Sequence, residues 1–150
     1  MFKGILLAVI AASVAACASV PLATPEADAA AKTFAAAPDK ASLYVYRDSI
    51  AKADIVRVFL GDTPLGELAT NTYLFKQLPP GHYTLRVMLD YVHGEEYSGN
   101  KVELDLKAGS LAFVRTTFPL HWTSVRSLLV VVDPSEGREG VMAAELAITN

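Results

Sequence analysis

The chain is 150 residues long, with 13 lysines and arginines against 16 aspartates and glutamates, for a net charge of −3. Charged residues make up 19% and both signs are interspersed, which excludes a basic nucleic-acid binder and an acidic disordered tail. The single cysteine excludes an internal disulfide and a cysteine-rich metal site. The hydrophobic share of 52% overstates the core, because 14 of the first 40 residues are alanine and the opening stretch is apolar.

Residues 1–16 predict a bacterial secretory signal peptide. Lys3 and the free amine supply its positive start, and the twelve residues Ile5–Ala16 are apolar apart from Ser13. A bilayer span needs about 20 apolar residues, whereas a signal-peptide core needs roughly 7–15. Val14-Ala15-Ala16-Cys17 follows and resembles the lipobox of bacterial lipoproteins. Such a thiol accepts diacylglycerol as a thioether, and cleavage leaves Cys17 first in the chain, its amine open to a further acyl chain. One myristoyl chain binds a membrane only marginally; two or three, at about 0.8 kcal/mol per buried CH₂, hold a protein permanently. The competing reading is an ordinary signal peptide cut nearby, which leaves a free thiol in an exported domain. Ala18 and Ser19 come next, with no aspartate. By resemblance to lipoproteins of diderm bacteria this points to the outer membrane. Without its first 16 residues the chain has 134 and a net charge of −4, so lipid rather than charge must hold it to an anionic membrane.

Residues 17–40 are expected to form the lipidated cysteine and an alanine- and proline-rich tether. The segment has few large apolar groups with which to build a core. Pro25 to Ala37 reads equally as helix, with Thr24 as N-cap, or as coil; either spaces the domain off the membrane. From Ala41 the texture changes. Leu43–Arg47, Asp54–Leu60, Pro64–Ala69, Tyr73–Phe75, His82–Tyr91, Lys101–Lys107, Leu111–Phe118 and Val125–Val132 predict strands. Gly61-Asp62-Thr63-Pro64, Asn71, Pro79-Pro80-Gly81 and Ala108-Gly109 supply the turns. Gly81 is expected to use a positive φ. Leu128–Val132 is a continuous apolar run and reads as a strand buried on both faces. Asp133-Pro134-Ser135-Glu136 has the cap, first-turn proline and acid of a helix start, weakened by Gly137 and Gly140. Residues 41–150 are therefore expected to be a mainly all-β domain: an antiparallel β-sandwich of about seven to eight strands with a short C-terminal helix.

The ordered set of lipobox, Tyr44-Val45-Tyr46-Arg47, Val58-Phe59-Leu60-Gly61-Asp62, Pro64-Leu65-Gly66 and Leu78-Pro79-Pro80-Gly81-His82-Tyr83-Thr84 resembles the bacterial lipoproteins that carry domain of unknown function 2846. Val56 to Phe118 is also similar to the PEGA-type surface modules. The resemblance implies an immunoglobulin- or transthyretin-like sandwich and an envelope location. It implies no catalytic residues.

Chemistry is sparse. His82, His93 and His121 fall in separate loops or strand ends, His82 read as a turn residue at its strand's start and His93 as a loop residue, and none pairs with another at metal-ligand spacing. Asp90, Glu95 and Glu96 flank a loop without an EF-hand pattern. There is no nucleophile elbow, P-loop or dinucleotide fingerprint, so no enzyme and no cofactor is expected. Phe118, Leu120, His121 and Trp122 join two strands; they read as interface anchors or as a cap over the core. Tyr44, Tyr46, Tyr73, Tyr83, Tyr91 and Tyr97 read as packing, or as a carbohydrate or peptide face. The expected function is a non-catalytic outer-membrane lipoprotein, held by its lipid anchor and binding an envelope protein or glycan, with no nucleic-acid partner. The alternative is a periplasmic lipoprotein binding a small ligand (metal, sugar or peptide) in a pocket at one end of the sandwich.

Overall fold

The computed structural model describes residues 19–48, 55–89, 101–117, 120–121, 124–125 and 128–150. The signal peptide, Cys17, Phe118, Trp122, His93 and the loop of Asp90, Glu95 and Glu96 lie outside the described residues. The elements run, in chain order, α1 (Pro25–Ala31), β1 (Ala41–Arg47), β2 (Val56–Leu60), β3 (Thr63–Leu68), β4 (Thr72–Leu78), β5 (Gly81–Leu89), β6 (Lys101–Leu106), β7 (Leu111–Thr117), β8 (Leu120–His121), β9 (Ser124–Val125), β10 (Leu128–Val132), α2 (Pro134–Met142) and β11 (Glu145–Leu146).

The protein is mainly β. One sheet has the order β10-β7-β1-β4-β11, a second β3-β2-β5-β6, and β8 with β9 forms a two-stranded ribbon. Most pairings are antiparallel, but β1 pairs parallel with β7 and β11 parallel with β4, which corrects the wholly antiparallel expectation. Parallel neighbours need long connections, and between β1 and β7 the chain builds the entire second sheet. Local patterning carries no trace of such a partner.

One core lies between the sheets. Leu43, Val45, Leu74 and Val114 from the first meet Val56, Val58, Leu85, Val87, Leu104 and Leu106 from the second. A second core covers the other face of the first sheet, where Tyr44, Tyr46, Tyr73 and Phe113 pack with Ala31, Val141, Ala144 and Leu146. Every residue of β1 is consequently buried. Its alternation sends Leu43 and Val45 to one core and Tyr44 and Tyr46 to the other. The strand buried on both faces is thus β1 and not β10. The latter is an edge strand, and its Val131 is 52% exposed.

α2 starts where the sequence predicts: the Asp133 carboxylate accepts from the backbone N–H groups of Ser135 and Glu136. Its glycines have a packing role. A Cβ on Gly137 would overlap the Phe113 ring, and one on Gly140 would overlap the Tyr46 ring. Three residues apart, both lie on one helix face, and their bareness lets α2 rest directly on the aromatic rings. Turn chemistry follows expectation at Gly61 (φ 60), Asn71 (φ 57) and Gly109 (φ 74). Gly81 does not adopt the positive φ expected of it.

The stretch expected to be a spacer is packed onto the body from Val20 onward. α1 is helical, with the Thr24 hydroxyl accepting from the Ala27 N–H at 3.2 Å. Seven residues cannot hold a helix alone; docking holds it. Ala31 and Val20 are buried. Leu22 bridges Ala147 antiparallel, with Ala23 N–H donating to Leu146 O (2.8 Å) and Ile148 N–H to Pro21 O (3.0 Å).

Candidate functional site

The C-terminal segment joins the two sheets and one end of the molecule. After β11, Ala147 N–H donates to Tyr73 O (2.8 Å) on the first sheet and Asn150 N–H to Leu65 O (2.9 Å) on the second. Thr149 bridges Gly66, where a Cβ would stand 2.7 Å from Leu74 Cδ2 and 3.1 Å from Ile148 O. The bare backbone of Gly66 is therefore what admits the crossing segment. Lys76 Nζ donates to Asn150 O at 2.6 Å.

A cleft of about 500 Å³ opens at this end, lined by Leu60, Pro64, Leu65, Leu78 and Tyr83 together with Lys76, His82 and Asn150. A smaller one of about 280 Å³ lies among Val20, Pro21, Gly66, Glu67, Ile148 and Asn150. The cleft residues were legible only as turn and strand formers. A leucine flanking each of the Gly61-Asp62 and Pro79-Pro80 turns is the one cue to an apolar mouth there.

The outward face of the second sheet is charged. His82, expected in a turn, is the second residue of β5, opposite Asp105 of β6. Its Nδ1 lies 2.7 Å from Asp105 Oδ1 and its Nε2 3.1 Å from Glu103 Oε2. Glu103 also accepts from the Thr84 hydroxyl at 2.8 Å. The Asp105 hydrogen bond and charge, with Glu103 beyond, hold the imidazole above its ordinary pKa, and the three side chains form a hydrogen-bonded cluster on this face. Arg86 donates to Gly61 O at 3.0 Å and lies over the Phe59 ring, and Arg57 pairs with Glu67 at 3.7 Å.

Of the six tyrosines, Tyr91 and Tyr97 lie outside the described residues and Tyr83 lines the cleft. Tyr44, Tyr46 and Tyr73 are buried under the helices. Burial pushes the Tyr44 phenol up to about 12, and burial together with Asp28 raises Tyr73. Of the loop residues singled out in the sequence, Leu120 and His121 belong to the β8–β9 ribbon, with Leu120 opposite Val125 and His121 opposite Ser124. Among the described residues no group of three histidine, cysteine or acidic side chains is arranged to hold a metal ion. Among them, too, no helix is long and apolar enough to cross a membrane.

These features define a mainly β body of two sheets with helices on one face, an apolar-lined cleft at one end and a charged outer face. Residues 37–126 match the family described as a protein of unknown function, DUF2846, and the chain belongs to that family. An uncharacterized protein of Haemophilus influenzae is 26% identical over 144 residues, covering 94% of this chain and 82% of the relative. That likeness extends beyond the family match at both ends, into the segments that form α1 and α2. No solved structure matches.

Proposed function

We propose that this protein is an outer-membrane lipoprotein, anchored through acylated Cys17, whose body is a non-catalytic module that binds or organises another envelope component, protein or glycan. The observation that carries the reading is the single cysteine of the chain, placed after Val14-Ala15-Ala16 at the end of a twelve-residue apolar run. Two sheets around a shared core support a β-sandwich of the immunoglobulin or transthyretin kind. The charged face of β2, β5 and β6 supplies the polar groups a protein or glycan partner needs. Replacing the thiol tests the anchor: Cys17→Ser is expected to abolish incorporation of labelled palmitate and to leave uncleaved or soluble protein. Palmitate uptake by that variant contradicts it.

The cleft of about 500 Å³ favours a second reading, a small-ligand binder. Its apolar lining suits a ligand with an apolar body and a polar end. A thermal-shift screen of sugars, short peptides and metal ions separates the two. A cleft ligand raises the melting temperature as RT ln(1 + [L]/Kd), and a body that works only by surface docking shows no such gain.

A further inference from the structure

We infer that the end of the body formed by Val20, Pro21, Ile148 and Asn150 sits directly against the lipid headgroups, rather than standing off on a tether. The inference rests on the lipid anchor proposed above and adds to it an orientation. The described residues begin at Ser19, two positions after Cys17. Val20 is 7% exposed and lies in the core between the sheets. The hydrogen bonds from Ile148 N–H to Pro21 O and from Ala23 N–H to Leu146 O, 3.0 and 2.8 Å long, lock the next residues to the crossing tail. Three peptide steps separate Cys17 from Val20, a reach of at most about 11 Å when fully extended. A diacylglyceryl thioether keeps the Cys17 sulfur at the boundary of the hydrocarbon. The headgroup layer outside that boundary is roughly 5–8 Å deep. Val20 therefore cannot leave the immediate neighbourhood of the headgroups, and neither can the residues fixed around it.

The surface there fits a lipid partner. Pro21 and Ile148 stand opposite each other in the antiparallel ribbon, so their side chains share one face. Pro21 is exposed and Ile148 is 51% exposed, with the neighbouring Leu22 45% exposed, so apolar groups gather at the exit point. Val131 and Met142 are exposed to a similar degree but lie on the far edge strand and at the C-terminal end of α2. Because Asn150 lines both clefts, the larger one opens at the same lipid-facing end.

The test uses the full-length, lipidated protein reconstituted in phosphatidylethanolamine–phosphatidylglycerol vesicles containing a headgroup-level nitroxide lipid. A polarity-sensitive fluorophore is attached in turn to Ile148→Cys, Asn150→Cys and Ala143→Cys; an acylated Cys17 does not compete for the label. Ala143 is exposed and lies beside the Asn71 turn, where Glu145 N–H donates to Asn71 O. The expected result is blue-shifted emission and strong quenching at 148 and 150, with aqueous emission and weak quenching at 143. Equal, aqueous signals at all three sites, with mass spectrometry of the same sample showing lipid on Cys17, overturn the orientation and leave the anchor standing. An unmodified Cys17 overturns both.

Discussion

Asp28 is the residue that ties the N-terminal segment to the sheet. Its Oδ1 accepts from the Tyr73 hydroxyl at 2.9 Å and from Leu146 N–H at 3.0 Å, and its Oδ2 from Lys32 Nζ at 2.8 Å. Burial acts to raise this carboxyl; the bonds from Lys32, Tyr73 and Leu146 outweigh it and hold the pKa below its ordinary value. The stabilisation is therefore present above the unfolded value near 3.9 and is lost as pH falls through the lower folded value. Asp28→Asn keeps one acceptor and loses the charge, and urea unfolding is expected to show a loss of about 2 kcal/mol; an unchanged midpoint contradicts the role. His82 has the opposite sign. Its raised folded pKa means stabilisation present below the unfolded value near 6.5 and lost as pH rises through the folded one. NMR titration should place the His82 midpoint above that reference, and Asp105→Asn should bring it back down. Neither residue was legible as a site: two of the three partners of Asp28 lie 45 and 118 residues away, and the His82 cluster needs the β5–β6 register. The outward alternation Glu103–Asp105 was visible, but not the strand facing it.

At the scale of elements, α2 shows how a weak helix former becomes a packing device. In an exposed helix Gly→Ala stabilises by about 1 kcal/mol. Here the added methyl of Gly140→Ala meets the Tyr46 ring, and overpacking of this kind costs about 1–3 kcal/mol. Thermal denaturation is expected to show a lower melting temperature; a rise contradicts the close seating of α2. The helix start at Asp133, the strands and most turns were readable because they depend on neighbours a few residues apart. Two features were not. Leu128–Val132 reads as central because it is uniformly apolar, yet it ends an edge; Leu43–Arg47, whose aliphatics and aromatics alternate, is the doubly buried strand. A second helix-covered core explains the difference, since an alternation of two apolar types marks two dry faces rather than one.

For the whole molecule, the decisive feature is that the segment from Val20 to β1 belongs to the body. Its alanine richness suggested a chain too poor in large side chains to fold, and alone it is. It folds by donating Val20 and Ala31 to cores built by residues far along the sequence, and by pairing Leu22 with Ala147. With the anchor proposed above, a long tether becomes a short link, and the proposed orientation follows from it. Intact mass spectrometry of the protein extracted from membranes tests the account most directly. It should show a chain beginning at Cys17, heavier than the polypeptide by a diacylglyceryl group and one further acyl chain. A chain with Cys17 as a free thiol would contradict it.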